Sequence, residues 1–384
     1  MFSNCGGNVI SNIVPKMRIL HVTHDMNIGG TEQVIKQIVM GVDKSLFTSD
    51  IVCLDNTIGD VAKSIDPSRV KLHKLARRPG FDTTLIRELR SLIKREAIDI
   101  VHCHQYTPYV YGVLAGLLTR TPVIFTEHGR FYPDRYSWKR RLVNPLLGFA
   151  TRAFVSISAA TRDALIDYEW FPARRISVIY NGIHGVSPDS QAVTQARQES
   201  SLEPDHYVYG TVSRLDTIKN QTLLINAFAK VHAQHPHTRL LLVGDGPERD
   251  TLESLVASLK LGKAVVFTGF RSDPEPWFGV INAFVLCSLS EGTSMTLLEA
   301  QSARLPCIVT AVGGNTEIIT NEQNGLVVAS DNVEALSEAM LRVVQDPALA
   351  TRLSDAGFEV FSTRFQRQKM IDAYEKLYES AYVK

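Results

Sequence analysis

The chain has 384 residues, 45% of them hydrophobic and 21% charged, with a formal net charge of +1. That length suits two domains better than one core, and the near-neutral balance disfavours nucleic-acid binding through overall charge. No stretch reaches the roughly 18 to 20 apolar residues that span a bilayer, and the five cysteines include no Cys-x-x-Cys pair, as expected of buried free thiols in a reducing cytosol.

Residues 1–16 lack the basic start and long apolar core of a secretion signal and read as an irregular extension. Short apolar runs then alternate with amphipathic segments. Met17 to Val22 reads as a strand, Thr31 to Met40 as a helix, Thr48 to Leu54 as a strand and Phe81 to Glu96 as a helix. Asp99 to His104 is a strand, Pro108 to Leu118 a helix and Pro122 to Thr126 a strand, and further strands fall at Ala153 to Ile157 and Ile176 to Tyr180. Strands separated by helices of about 10 to 15 residues imply βαβ units and a parallel sheet covered on both faces.

The pattern restarts at Tyr207 to Ser213 and continues with strands at Arg239 to Val243, Val265 to Thr268, Ala283 to Cys287, Cys307 to Thr310 and Gly325 to Val328. Between the halves the chain is polar, without an apolar period, which is a linker composition. The expected organisation is α/β, two Rossmann-like doubly wound domains: 17–185, a linker at 186–204, 205–360, and a helical segment at 361–384 with Phe365, Tyr374 and Tyr378 as aromatic anchors. Such a pair places a ligand cleft between the carboxyl ends of both sheets.

Candidate ligand groups cluster at those strand ends. Glu291 and Glu299, eight residues apart, bracket small and hydroxyl residues before a helical run from Leu297. One carboxylate then lies in a strand-to-helix loop and the other inside the helix. The helix N-terminus between them offers free N–H groups to phosphate, although a capped surface helix with solvated glutamates has the same appearance. Arg214 and Lys219 follow the first strand of the second half and could reach a diphosphate. Gly244 ends the next strand in Val243-Gly244-Asp245-Gly246-Pro247, where glycine permits close ligand approach. Gly269 and Phe270 end the third, where exposed backbone could bond a base edge.

Taken together, Asn27 to Glu32, Asp99 to His104, Thr126 to Gly129, Val178 to Ile183, Ser213 to Asn220, Val243 to Pro247, Glu291 to Ala300 and Gly313 to Glu317, in this order, resemble the GT4-class retaining glycosyltransferases of the GT-B fold over roughly residues 17 to 384. The resemblance implies that Gly29 and Gly30 form a loop near the donor phosphates and the acceptor, and that Arg214 and Lys219 neutralise the departing diphosphate. It implies that Glu299 holds the ribose hydroxyls and Glu291 the transferred sugar. Backbone amides of Ser294, Met295, Thr296 and Leu297 would cradle phosphate, and His128 would line the sugar pocket near the reacting carbon. The terminal segment 361–384 would pack back on the first domain. The acceptor would attack on the face that the diphosphate leaves, so no enzyme nucleophile is required.

No cofactor is expected, the UDP- or GDP-linked sugar being a substrate. No metal is expected either: the chain has no Asp-x-Asp, and His102-Cys103-His104 lacks a second ligand pair at zinc spacing, so His104 is read as cleft-lining. Two departures from the family stand out. Arg304 replaces a helix-terminal glycine, at about 1 kcal/mol if the backbone is left-handed there, and Thr293 and Thr296 make the donor loop hydroxyl-rich.

The basic, aromatic run Gly129 to Arg141, followed by apolar Leu142 to Phe149, fits a peripheral membrane contact at the inner membrane face or a lipid-linked acceptor, but equally a solvated helix start packed on the sheet. The expected activity is transfer of a sugar to a glycan or polyprenyl-linked acceptor in bacterial surface polysaccharide or lipopolysaccharide synthesis, by a cytoplasmic protein. The alternatives are a non-hydrolysing nucleotide-sugar 2-epimerase and a catalytically silent scaffold or sensor of the same fold. A dehydrogenase is excluded by the absence of Gly-x-Gly-x-x-Gly after the first strand.

Overall fold

The computed structural model describes residues 16–129 and 138–382. Among these, β1 (Met17–Thr23), β2 (Phe47–Cys53), β3 (Val70–Lys74), β4 (Ile100–His104), β5 (Val123–Glu127), β6 (Ala153–Ser156) and β7 (Ile176–Val178) form a first parallel sheet in the order 3-2-1-4-5-6-7. A second follows from β8 (Tyr207–Val212), β9 (Thr238–Val243), β10 (Val265–Gly269), β11 (Ala283–Leu286), β12 (Cys307–Thr310) and β13 (Leu326–Val328) in the order 10-9-8-11-12-13. The order reverses between β1 and β4 and again between β8 and β11. Loops diverge there and leave a crevice outside the strand carboxyl ends.

The first sheet is flanked by α1 (Gly30–Gly41), α2 (Asp60–Lys63), α3 (Thr83–Arg95), α4 (Tyr106–Leu117), α5 (Trp138–Ala150) and α6 (Ala159–Asp167). After α7 (Ser190–Glu199), the second carries α8 (Gln221–Gln234), α9 (Arg249–Ser258), α10 (Glu275–Val280), α11 (Met295–Ser302), α12 (Asn315–Ile318), α13 (Val333–Gln345) and α14 (Pro347–Arg364), while α15 (Arg367–Tyr382) returns to the first sheet. In α3, for example, Leu85, Leu89, Leu92 and Ile93 recur at helical spacing and are buried, and the Asp82 carboxylate caps the amides of Thr84 and Leu85. Strands β11 and β12 are buried along their whole length, which is why they read as apolar runs, and β4 is equally buried although it carries His102 and His104.

Three elements differ from the sequence reading. The edge strand β3 and the single turn α2 were not foreseen. Edge strands tolerate charges, and Lys71, His73 and Lys74 mask the strand pattern of β3. The polar stretch 186–204 contains α7, capped by Asp189 on the amide of Ala192. Only Ala196 of this helix is buried, so its sequence carries no apolar period. Its Val193 packs where a side chain at Gly279 of α10 would stand, 2.4 Å from that missing Cβ. At the C-terminus the aromatic anchors divide between the sheets. Phe365 joins the core of the second, while Met370, Ile371, Tyr374 and Tyr378 of α15 share a core with Ile19, Val34 and Ile100 of the first.

Cys53, Cys103, Cys287 and Cys307 are buried free thiols. No helix among the described residues is long and apolar enough to cross a membrane.

Candidate active site

A cleft of about 780 Å³ opens between the carboxyl ends of the two sheets. Gly29, Gly30 and His128 line it from the first sheet, and Arg214, Lys219, Gly244, Phe270, Glu291, Ser294, Met295 and Thr296 from the second. Gly269, Leu297 and Glu299, also expected at the site, lie outside this lining.

The second-sheet wall is built by close backbone approaches. Gly244 sits at φ +139, and a Cβ there would meet the Ser213 carbonyl oxygen at 2.0 Å. Gly313, at φ +46, likewise lets its backbone lie against the Glu291 carbonyl. Cys287 donates its S–H to the Lys219 carbonyl and Leu289 its N–H to that of Ile218, so the loops after β8 and β11 are joined. The join brings Lys219 Nζ to 2.6 Å from Glu291 Oε1, which also accepts from Ser288 Oγ at 2.6 Å. Lys219 and Glu291, expected to meet phosphate and sugar respectively, also form an ion pair with each other. Arg214 is 70% exposed, with Nε 4.0 Å from Asp216 Oδ2, so its guanidinium projects into the cleft nearly unengaged.

Helix α11 starts at the cleft. Ser294 caps it by accepting the Leu297 N–H, which leaves the Met295 and Thr296 amides as those facing the cleft without an acceptor among the described residues. The Leu297 side chain belongs to the core. Glu299 sits one turn further along, and burial with nearby Glu275 raises its carboxyl to about 7. The Gly269 carbonyl accepts from the Gly244 N–H and the Thr268 hydroxyl, so Phe270, whose ring is exposed, and Arg271 are the groups this strand end offers the cleft.

On the first-sheet side, α1 begins at the Gly29–Gly30 turn, and Glu32 in its first turn is raised to about 7 by burial and by Asp25. His128 Nε2 lies 2.8 Å from His104 Nδ1, and His104 Nε2 lies 3.1 Å from His21 Nδ1. His102 sits between Thr126 Oγ1 at 2.7 Å and the Tyr378 hydroxyl at 2.8 Å. Burial holds these rings neutral, His21 and His128 down at about 3 and His102 and His104 well below their ordinary value. His104 was expected on the cleft wall; it is fully buried behind His128. His21, His102 and His104 bring one nitrogen each within 4.8 Å of one another; both nitrogens of His102 are engaged by hydroxyls, while Nε2 of His21 is buried without a hydrogen-bond partner among the described residues.

Three contacts close the cleft at its back. Both Glu317 oxygens accept from the first amides of α6, Ala159 at 2.7 Å and Ala160 at 2.9 Å, and one also accepts from Tyr180. Asn181 donates to the Thr293 carbonyl, and the Thr293 hydroxyl donates to the Ile157 carbonyl. The extra hydroxyl at 293 therefore serves the contact between the sheets, whereas Thr296 lines the cleft.

Sequence reading missed His21, Glu32 and the clamping role of Glu317. For Glu317 the signal was its place after Gly313-Gly314; for His21 there was none, because its partner is 83 residues away.

Residues 28–184 match the family model described as Glycosyltransferase Family 4, and residues 193–360 match Glycosyl transferases group 1. An Escherichia coli UDP-Gal:alpha-D-GlcNAc-diphosphoundecaprenol alpha-1,3-galactosyltransferase is 26% identical over 381 residues, covering 94% of this chain and 97% of that protein. The O-antigen biosynthesis glycosyltransferase WclY of Escherichia coli is 24% identical, covering 95% of this chain and 99% of its own. The crystal structure of Anabaena HepE in complex with UDP-glucose superposes with a TM-score of 0.83 at 21% identity, over 95% of this chain and 100% of that one.

Proposed function

We propose that this chain, which belongs to the GT4-type glycosyltransferases of the GT-B fold, moves a sugar from a nucleotide diphosphate to a glycan or lipid-linked acceptor in surface polysaccharide or lipopolysaccharide synthesis, with retention of configuration and without a metal. The observation that carries the reading is the joining of Lys219, Glu291 and the open amides of Met295 and Thr296 on one cleft wall, with Arg214 free beside them. Positive groups that converge before any ligand arrives need little reorganisation, so they stabilise the charge that builds on a departing diphosphate. Lys219 and Arg214 take the phosphate oxygens. Glu291 holds the Lys219 ammonium in place and accepts from a hydroxyl of the transferred sugar.

Glu299 takes the ribose hydroxyls and Phe270 offers its exposed ring to the base, UDP or GDP. Neutral His128, backed by His104, binds the sugar without adding charge beside an oxocarbenium-like centre. Arg214 and Lys219 supply the cationic role that a metal fills in other transferases. The Escherichia coli relative that transfers galactose from UDP-Gal to a GlcNAc-diphosphoundecaprenol supports a lipid-linked acceptor.

The test is turnover with a panel of UDP- and GDP-sugars, with and without a chelator, and with the anomeric configuration of the product read by NMR. Retention and chelator-insensitive turnover are expected. Donor binding without any transfer or hydrolysis would favour the scaffold, and inversion would remove the same-face mechanism.

A further inference from the structure

One face of the first sheet turns from apolar to polar toward the carboxyl ends of its strands. His21 stands opposite His102 in the register of β1 and β4, and His104, two residues on, shares that face. His128 follows β5, whose Thr126 is paired with His104. Helix α15 covers the row, with the rings of Tyr374 and Tyr378 at 5.5 and 5.7 Å from that of His102. His21, His102 and His104 are fully buried, and of the four histidines only His128 lines the cleft.

His102 is a side branch, held by the Thr126 and Tyr378 hydroxyls. The other three rings form a linear chain, His128 Nε2 to His104 Nδ1 at 2.8 Å and His104 Nε2 to His21 Nδ1 at 3.1 Å. The chain ends on two nitrogens, His21 Nε2 and His128 Nδ1, each buried without a partner among the described residues. Burial keeps all three rings neutral, so each carries a single N–H. A neutral His104 that donates on one side must accept on the other, so both ring-to-ring bonds run in the same direction. They use one N–H apiece, and the third is left at an end of the chain, on His21 Nε2 or on His128 Nδ1. The two ends are not equal, because a buried N–H that lacks an acceptor is costly. The acid that acts on His21, Asp50, already has its oxygens taken by Arg18 and His73. His128 stands where ligand oxygens arrive.

We propose that the third proton rests on His128 Nδ1, so that His21, His104 and His128 are all Nδ1–H tautomers and His128 meets an oxygen of the bound sugar nucleotide as a neutral donor. His21 and His104 are then positioning residues. The His21 N–H fixes the lone pair of His104 Nε2, His104 passes the polarity on, and the ring at the cleft is set as a donor before any ligand binds. A chain running the other way would present a lone pair to the ligand oxygens and seal an unanswered N–H beneath α15. The identity of the ligand rests on the transferase reading; the tautomers do not.

The experiment is long-range proton–nitrogen correlation NMR on the full chain labelled with nitrogen-15 in histidine, near pH 7 and without nucleotide, since this spectrum separates the two neutral tautomers. The Nδ1–H pattern is expected for His21, His104 and His128. An Nε2–H or averaged pattern in any of them would overturn the proposal, and this reading needs no variant except to assign the signals. For the positioning role, His21→Leu should lower kcat about tenfold with a smaller change in KM and mix the tautomers of His128. His21→Asn, which returns an N–H near the place of Nδ1, should restore most of the loss and the Nδ1–H pattern. A folded His21→Leu variant with parental kcat and an unchanged His128 signal would reduce His21 to a packing residue. The tautomers are read without donor, so their failure leaves the transferase reading standing, and a parent chain that transfers no sugar would defeat that reading alone.

Discussion

Lys219 Nζ and Glu291 Oε1 stand 2.6 Å apart, joined across 72 residues of sequence at the mouth of the cleft. Each holds the other where a ligand would meet both, so neither can be replaced without freeing its partner. Lys219→Met and Glu291→Gln should each lower kcat by about 10²-fold with a smaller change in KM, as expected for groups that act on developing charge. Steady-state kinetics at saturating donor decide this, and an unchanged kcat in either variant would remove the pair from the site.

Glu299 should make nucleotide binding release protons. Its carboxyl is raised to about 7 from an ordinary 4.5, so the folded chain keeps a proton that the unfolded chain loses between these values. The stability it contributes is complete below 4.5 and is lost as pH rises through 7. Ribose hydroxyls favour the ionised form, so affinity should fall as pH drops below 7. Calorimetry near pH 6 in two buffers of different ionisation enthalpy measures the released protons. Glu32 titrates in the same range, so Glu299→Gln is the control, and undiminished release in that variant would refute the assignment.

The buried histidines act with the opposite sign. His21, His102, His104 and His128 are held below their ordinary 6.5, so the unfolded chain takes up protons that the folded chain refuses. Stability should fall as pH drops from 6.5 toward 3, by up to about 1.4 kcal/mol per pH unit for each ring. Urea unfolding at pH 7 and 5 should register this loss, and His104→Phe should reduce its slope. A slope independent of the histidines would show that the rings are hydrated.

Glu317 is the clamp between the sheets, with two amides of α6 and the Tyr180 hydroxyl on one carboxylate. Glu317→Ala should cost about 1.5 to 3 kcal/mol, the range for hydrogen bonds to a charged group, and should widen the cleft. Denaturation midpoints and small-angle scattering would report the two effects, and unchanged scattering would leave Glu317 a stabilising residue only.

Arg304 occupies φ +56 at the end of α11, where the Leu305 amide reaches back to the Ala300 carbonyl. Its guanidinium stacks 3.8 Å from the Phe358 ring and pairs with Asp355 at 2.8 Å. Arg304→Ala keeps the strained backbone and loses both contacts, so it should destabilise by about 1 kcal/mol. Arg304→Gly relieves the backbone by a similar amount and should be nearly neutral. Equal melting temperatures for the two variants would contradict this balance.

Much of the fold was legible because strands buried on both faces must be apolar throughout. The runs at β8, β11 and β12 could therefore be located to within a residue or two. Elements whose stability comes from neighbours were not: β3 is written in lysines, and α7 buries one alanine. The left-handed backbone at Arg304 was foreseeable because a glycine-shaped position carried a side chain.

By itself, the sequence determined two doubly wound halves, the strand ends that face a cleft, and the charged and glycine residues placed there, since these follow from local periodicity and turn chemistry. Only the tertiary structure decided which of those residues meet. Lys219 reaches Glu291, His104 retreats behind His128 onto His21, and Thr293 turns its hydroxyl to Ile157. Such pairings depend on hydrogen-bond-range approaches between loops and strands that lie tens of residues apart, and no local pattern encodes them.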